Sequence, residues 1–234
     1  MRSLSHVLLA LVAPAVAAAA EPRKFEVGVG ALGYFGANFL SDTDDDVPVE
    51  GSNLVLPYPG FAGFSGGAGV SLEARYKGFV GLEVDLVRSS DRGSGEINGV
   101  DVTIGQTSWH MPLLLELAVP SAFVRPSVFV GIDLVFPGEG KGEADPPPDN
   151  LEVASTASSY TMLTFGFGFE VLLPIEGVDI RVPITVRGAR NGGTSASASD
   201  RASVEPTGGY YEATFNSEWQ WQAGGTIGVT YYFL

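Results

Sequence analysis

The sequence predicts an all-β fold, namely a transmembrane antiparallel up-and-down β-barrel of about eight strands. Three observations predict it. Apolar and polar residues alternate with a period of two over most of the chain after residue 24, and this is the side-chain period of a β-strand. The apolar positions of the predicted strands carry no charge in their middles. Long and short connections follow one another in turn, as they do in barrels that cross an outer membrane.

The composition excludes several classes of protein. Asp and Glu number 27 against 13 Lys and Arg in 234 residues, which gives a net charge of -14. A nucleic-acid-binding protein needs a basic surface, so that class is excluded. The chain has no cysteine, which excludes disulfides, thiolate zinc sites, cysteine nucleophiles and a lipoprotein anchor.

Residues 1–20 have the pattern of a secretory signal peptide. Arg2 is their only charged residue, Val7–Val16 is an apolar run, and Ala17–Ala20 supplies the small residues that precede a cleavage site. The apolar run is shorter than the roughly 20 residues that a membrane-spanning helix needs. We therefore expect cleavage after Ala20 and a single β-barrel domain over residues 21–234.

Eight segments follow the strand pattern. They are Phe25–Phe35, Phe64–Tyr76, Phe79–Arg88, Thr103–Val119, Ser127–Phe136, Tyr160–Leu173, Asp179–Arg187 and Tyr211–Phe233. Membrane barrels leave no strand edge unpaired in lipid, so we expect the first and last segments to be neighbours. Ten strands would result if Ala202–Thr214 formed a hairpin of its own.

The connections between these segments alternate in length. The long ones are Gly36–Gly63, Ser89–Val102, Pro137–Ser159 and Gly188–Gly209, and the short ones are Lys77-Gly78, Pro120–Pro126 and Pro174–Val178. In a meander this order places every long loop at one end and every tight turn at the other. Outer-membrane barrels have this asymmetry, whereas a soluble sandwich has no reason to sort its loops.

The apolar face is predicted to contact lipid rather than an internal core. In the last segment one face carries Trp219 and Trp221 at its start, small and aliphatic residues in its middle, and Tyr231 and Phe233 at its end. Aromatic residues at both ends of an apolar band are typical of the two interfacial girdles of a membrane barrel. The opposite faces are rich in Gly, which suits a crowded small lumen. A soluble barrel with an apolar interior is the alternative.

The C-terminal residues resemble the signal that the barrel assembly machinery of the outer membrane reads. The segment runs from Thr226 through Gly228 and Tyr231 to Phe233, in the pattern polar, any, Gly, any, any, hydrophobic, any, aromatic, although Leu234 follows the usually terminal aromatic residue. With the signal peptide and the strands, the mature chain resembles small outer-membrane barrels of the OmpA, OmpX and OmpW type. The resemblance implies an integral outer-membrane location, periplasmic termini and external long loops.

The lumen is predicted to hold a network of charged side chains. Its members are Glu73, Arg75, Glu83, Asp85, His110, Glu116, Asp133, Glu170, Arg181 and Arg187, with Glu26, Gln220 and Gln222 on the same faces. An eight-stranded barrel is just wide enough for side chains, and charges buried there must pair or be solvated. A salt-bridged plug is the simpler interpretation. Because acidic residues outnumber the arginines, a narrow cation-preferring channel is the alternative.

One pair of residues has the spacing of a catalytic nucleophile and base, although a structural role explains it equally well. Ser108 and His110 lie two apart on one strand, which permits a nucleophile and a base to approach, with Glu83 or Asp85 as a partner for His110. The alternative is a lumen histidine paired to a carboxylate.

The first long loop carries an acidic cluster, Asp42, Asp44, Asp45 and Asp46. Such a cluster can hold a hard cation, but EF-hand spacing is absent and a solvated acidic loop is simpler.

We therefore expect a non-enzymatic barrel with a structural or interaction role, without cofactor or metal. The expected partners are outer-membrane lipid, lipopolysaccharide and the barrel assembly machinery, with no nucleic acid, and the chain is expected to be a monomer. A narrow channel or small-molecule carrier is the alternative function. A lipid-modifying enzyme and a soluble periplasmic binding barrel are the remaining hypotheses.

Overall fold

The computed structural model describes residues 24–40, 46–48, 55–121, 123–147, 151–192, 202–207 and 210–233. The predicted signal peptide, Leu234 and most of the acidic cluster of the first loop lie outside these residues. The described residues are almost entirely β-strand. Among them, no helix is long and apolar enough to cross a membrane.

Eight of the strands close into an antiparallel barrel, in the order β1-β13-β10-β9-β7-β6-β5-β4. They are β1 (Phe25–Leu40), β4 (Phe61–Tyr76), β5 (Val80–Ile97), β6 (Val100–Ala118), β7 (Val124–Asp145), β9 (Tyr160–Ile175), β10 (Val178–Asn191) and β13 (Trp221–Tyr232). The predicted closure is confirmed, because β1 pairs with β13 from Gly28↔Tyr232 to Phe39↔Trp221.

The predicted inward and outward faces agree with the exposure of the side chains. On β5, Leu82 is 62% exposed, whereas Asp85 is fully buried in the interior. On β7, Val128 and Val130 are exposed and Phe129 between them is buried. The outer surface is therefore apolar where the strands cross the predicted lipid band, and the lumen holds the polar positions together with some apolar ones, such as Phe129.

The two ends of the barrel differ, and we name them by their connections. The turn end carries the short links at residues 77–79, 119–123 and 176–177, and the loop end carries the remaining connections. Lys77 and Gly78 both have positive φ, as the central residues of a tight hairpin turn require. The three predicted short links thus all lie at the same end of the barrel.

The prediction of a loop over Ser89–Val102 is wrong. Strands β5 and β6 continue as a paired hairpin to Asn98-Gly99, where both residues have positive φ. Asn-Gly is the preferred pair for a two-residue hairpin turn. Strands β1, β7 and β10 also run further toward the loop end than predicted. On β5, β7 and β10 the outward residues of these extensions are polar, charged or Gly, so the apolar stripe that marks a lipid-facing strand is missing there. The extension of β1 still carries an outward Phe39.

The final predicted segment, Tyr211–Phe233, is two strands rather than one. Residues Tyr210–Asn216 form β12, which pairs with β11 (Ala202–Thr207) and, in parallel, with β8 (Leu151–Thr156). This three-stranded sheet lies outside the barrel ring, and β2 (Asp46–Pro48) pairs with β3 (Val55–Pro57) in a separate small sheet. The hairpin near Ala202–Thr214 thus exists, but within the described residues the barrel keeps eight strands.

Candidate functional site in the barrel lumen

Arg75 is the centre of an ionic cluster in the turn-end half of the lumen. Its guanidinium donates hydrogen bonds to Glu170 at 2.6 and 2.8 Å and to Glu116 at 2.6 Å, and its Nε lies beside Glu73. Tyr232 donates to Glu170 at 2.8 Å and also contacts Glu73. These side chains come from β4, β6, β9 and β13, so one arginine joins strands on different sides of the ring.

Two further arginines extend the cluster toward the turn end. Arg125 donates to Glu26 at 2.7 and 3.3 Å, and its Nη1 lies 3.7 Å from Glu170. Arg181 lies 3.4 Å from Glu26 and 2.9 Å from Asp179, and its guanidinium packs over the ring of Tyr232 at 4.3 Å. The buried carboxylates at this end are therefore held by bidentate and stacked arginines, the strongest form of such pairs.

Glu73, Glu83 and Glu116 have carboxylate oxygens within 4.8 Å of one another, a spacing that a metal ion could bridge. Arg75 bonds to Glu116 and contacts Glu73, so its guanidinium already supplies positive charge to two of the three. A Cβ at Gly81 would lie 2.9 Å from Cγ of Arg75. The missing side chain at Gly81 therefore makes room for the arginine.

Arg187 and Asp85 form an ionic pair in the lumen between the Arg75 cluster and His110. Its Nη atoms lie 3.3 and 3.4 Å from Asp85, and its guanidinium lies 5.9 Å from the ring of Phe129. Thr226 on β13 shares a hydrogen bond of 2.7 Å with Thr185 and lies 3.5 Å from Arg187. This layer is less tightly bonded than the Arg75 cluster.

His110 lies between two carboxylates nearer the loop end. Its Nδ1 is 2.7 Å from Asp133, and its Nε2 is 3.7 Å from Asp91. The expectation that Glu83 or Asp85 partners this histidine is therefore wrong, because a strand neighbour on the other side, β7, supplies Asp133. The arrangement is the paired lumen histidine of the simpler interpretation. Ser108 is fully buried on the same face, so it is not open to a substrate from solvent.

Two cavities that lie in the lumen among the described residues are small. One cavity of about 20 Å³ is lined by residues including Tyr34, His110, Asp133 and Arg187. A second cavity of about 20 Å³ lies beside Glu83 and the Arg75 cluster. Each has room for about one water molecule.

An apolar cluster occupies the interior at the loop end. Its buried residues are Leu40, Tyr58, Phe61, Ile97, Val102, Ile104, Ala213, Phe215 and Trp219. Trp219 was predicted to face lipid but is fully buried, and this prediction is wrong. The residue precedes β13, and its ring packs where a Cβ at Gly93 would lie. Trp221, two residues later, does face outward and is 43% exposed.

The structure places all ten residues of the predicted charge network on inward faces, and it adds two that the sequence analysis missed. Asp91 is fully buried, although it was assigned to a loop, and Arg125 is 6% exposed, although it was assigned to a short link. The inward alternation of Asp85, Val87 and Ser89 continues to Asp91 and is the signal that could have found it. For Arg125 no comparable signal exists, because Pro126 follows it and interrupts the pattern.

The remaining predicted residues lie at the two ends of the molecule. Asp42, Asp44 and Asp45 lie outside the described residues, and Asp46 begins β2. Within the predicted assembly signal, Thr226 is buried, Gly228 is inward, and Tyr231 and Phe233 are exposed. The backbone N–H of Phe233 donates to Val27 at 3.0 Å, so this residue continues the β1–β13 ladder.

Comparisons with known proteins place this geometry in a family. The model of the outer membrane protein beta-barrel domain matches residues 5–233. No curated protein matches the chain. Among solved structures, the outer membrane protein OprG from Pseudomonas aeruginosa is similar over 88% of this chain and 95% of its own, with 12% identity and a TM-score of 0.46.

Two other solved structures are similar at lower scores. The N-terminal β-barrel domain of Pseudomonas aeruginosa OprF covers 88% of this chain and 97% of its own, with 11% identity and a TM-score of 0.38. Ail, the attachment invasion locus protein of Yersinia pestis, crystallised with the heparin analogue sucrose octasulfate, covers 89% and 99%, with 11% identity and a TM-score of 0.38. Because the family model spans nearly the whole sequence, the chain belongs to the outer membrane protein beta-barrel family and is an integral outer-membrane protein.

Proposed function

We propose that the protein is a non-conducting outer-membrane barrel with a structural or interaction role and no catalytic activity. Its lumen is closed by ion-paired side chains, and its loop end is displayed outside the cell. In this arrangement the barrel holds the chain in the membrane, and the loop-end extensions present the surface that acts. The observation that carries the proposal is the Arg75 cluster, which with Tyr232 joins four strands across the lumen.

The bonding of this cluster supports a plug. Arg75 is 2% exposed, and its partners Glu73, Glu116 and Glu170 are each 4% exposed. An ion passing between them would have to break charge-assisted hydrogen bonds of 2.6 Å. Two of the buried partners would then carry uncompensated charge, which costs several kcal/mol.

A second layer supports the same conclusion. Val135 and Met162 are fully buried in the lumen and pack with Ala189 and Tyr160 at the level of His110, which pairs with Val135 across β6 and β7. The apolar cluster at the loop end lies beyond them. A hydrated ion would therefore meet two apolar layers in addition to the ionic one, and such constrictions do not hold water.

The alternative is a narrow cation-preferring channel, and one observation favours it. Among the residues whose burial the structure describes, seven buried carboxylates face four buried arginines and one buried histidine. These residues are Glu26, Glu73, Asp85, Asp91, Glu116, Asp133 and Glu170 against Arg75, Arg125, Arg181, Arg187 and His110. A surplus of carboxylates attracts cations if the pairs can separate.

Conductance in planar bilayers distinguishes the two. We expect the refolded protein to give no steady conductance. If it conducts, the channel alternative predicts cation selectivity that falls in Glu73→Gln but not in Glu139→Gln, since Glu139 is exposed on the outer surface above the apolar band. Steady, cation-selective conductance with that difference would replace our proposal by the alternative.

The orientation and the partners belong to the same proposal. We propose that both termini and the turn end face the periplasm, because outer-membrane barrels have their short turns there. The chain is proposed to act as a monomer, to be inserted by the barrel assembly machinery, and to contact lipopolysaccharide through acidic loops and bridging divalent cations. Accessibility of a cysteine introduced at Glu96 to a membrane-impermeant reagent in intact cells tests the orientation, and labelling of Glu176→Cys instead would reverse it.

A further inference from the structure

The outer surface of the β5–β6–β7 wall changes character at one row of residues. Arg88, Trp109 and Phe136 are paired across the three strands and all face outward. Toward the turn end the outward residues of these strands are aliphatic, and toward the loop end they are polar or charged. Arg88 lies 6.0 Å from the ring of Trp109. Aromatic and basic residues at such a boundary mark the level of lipid headgroups.

A groove lies on this wall immediately beyond the row, on the loop-end side. It has a volume of about 140 Å³, and its lining includes Ser90, Arg92, Gly105, Thr107, Glu139 and Lys141. We call it the outer groove. It has room for several waters or for a polar group of ligand size, in contrast to the cavities of about 20 Å³ in the lumen.

The pairing of β5, β6 and β7 explains why the surface is depressed at the outer groove. Arg92 pairs with Gly105, and Gly105 pairs with Lys141, so two cations flank a residue without a side chain in one row. Neighbouring strands are about 4.8 Å apart, which separates the two cationic strands by roughly 10 Å. A Cβ at Gly105 would lie 3.2 Å from Cγ of Arg92 and would fill the gap. A register irregularity between Gln106 and Ser108 adds to the depression.

The charges of the outer groove have no partner within the described residues. Arg92 and Lys141 are exposed and form no ion pair there, while the lumen arginines are all bonded. Glu139 and Glu143 lie two residues to either side of Lys141 on the same face. A bare polyanion would be repelled by these two carboxylates. A phosphorylated sugar satisfies both sets, because its phosphate takes the cations and its hydroxyls donate to the carboxylates.

We propose that the outer groove binds the phosphorylated saccharide headgroup of a membrane lipid. The acyl chains of that lipid lie on the apolar surface below Trp109 and Phe136, which is continuous with the groove. This commits the ligand to a lipid rather than to a soluble sugar phosphate. The assignment to the outer leaflet rests on the orientation given in the proposed function, but the binding chemistry does not.

The test titrates the protein in nonionic detergent micelles with bisphosphorylated glucosamine-disaccharide lipid, and it counts retained lipid by native mass spectrometry. We expect Arg92→Gln and Lys141→Gln each to weaken retention about fivefold, and the double variant about 25-fold. Arg190→Gln is the matched control, because Arg190 is exposed beside Trp221 on another wall. It is expected to bind within about twofold of the wild type, a difference too small to count as a lost charge contact. Heat-modifiable gel mobility verifies that each variant is folded.

The following results would overturn the proposed site or its ligand. Wild-type retention of the double variant, or an equal loss in Arg190→Gln, overturns the site and leaves only general attraction of lipid to basic residues. Equal retention of phosphatidylglycerol overturns the saccharide assignment, and full competition by soluble glucosamine phosphate overturns the lipid assignment. None of these results depends on conductance or orientation, so the outer groove and the proposed function fail separately.

Discussion

The two halves of the barrel interior are filled in opposite ways. The turn-end half is packed with paired charges around Arg75, and the loop-end half is packed with apolar and aromatic side chains around Trp219. The charged half lies where the outer surface is apolar and contacts lipid. The apolar half lies where the outer surface is polar. On the wall of β5, β6 and β7 the outer surface changes from apolar to polar near the row of Trp109 and Phe136, and the large apolar cluster of the interior lies on the loop-end side of that row.

This difference arises because the outer surface contacts lipid at one level and water at the other. Within the lipid band the outward side of every strand must be apolar, so polar residues can lie only inside. Beyond the band water surrounds the wall, and the ordinary rule of a soluble protein applies, with apolar residues inside. The barrel thus joins a membrane domain to a short soluble sandwich-like extension along continuous strands.

The largest effect is expected from removing the charge at the centre of the turn-end half. Arg75→Met leaves Glu73, Glu116 and Glu170 buried without their main partner, so we expect the free energy of unfolding to fall by about 3–5 kcal/mol. Urea unfolding in lipid vesicles measures it. Arg88→Met is the control, because Arg88 is exposed on the outer surface, and a loss of at most about 1 kcal/mol is expected there. Similar losses in both variants would mean that the cluster adds no more than a surface arginine does.

The second prediction concerns the boundary between the apolar and the polar part of the outer surface. Leu82→Arg puts a charge into the lipid band, and we expect a loss of about 2–4 kcal/mol with a lower folded yield. Ser90→Arg, on the same strand and the same outward face but beyond the boundary row, is expected to fold normally. If the two variants fold equally well, the boundary does not lie between these residues.

A smaller global effect is expected from the apolar half. Trp219→Ala leaves a cavity, and we expect the loop-end cluster to open more readily by about 3 kcal/mol, while the ladder of the lipid band keeps its stability. Amide hydrogen exchange measures both, by comparing the N–H groups of Gln106 and Ser217 with those of β13. Equal acceleration at both places would show that the two halves unfold as one unit.

The smallest effect on the folded barrel is expected from removing Phe233 and Leu234. Phe233 contributes one ladder hydrogen bond, to Val27, so folding into detergent should change by about 1 kcal/mol or less. Insertion in cells should fall much more, if the assembly machinery reads the C-terminal pattern. Heat-modifiable mobility reports both settings, and equal losses in them would make Phe233 a structural residue alone.

Much of the fold could be predicted from residue patterns because the lipid imposes a strict rule on them. The alternation of Val80, Leu82, Val84 and Leu86 with polar neighbours identified both the strand and its faces. The same rule failed beyond residue 88, where the extension of β5 has polar outward residues and was predicted as a loop. The Asn98-Gly99 pair is a hairpin signal that the sequence contains and that its surroundings obscured.

Residue patterns alone predict the strands of the lipid band, their inward and outward faces, and ten charged residues of the lumen, because a period of two assigns every side chain to one of two sides. Which of those charges pair depends on how the strands are arranged in three dimensions. His110 bonds to Asp133, and Arg75 joins Glu116 and Glu170 from β6 and β9, because strand register and the curvature of a closed ring bring distant residues to the same level. The burial of Trp219 and the outer groove between Arg92 and Lys141 likewise depend on cross-strand neighbours, which no local pattern contains.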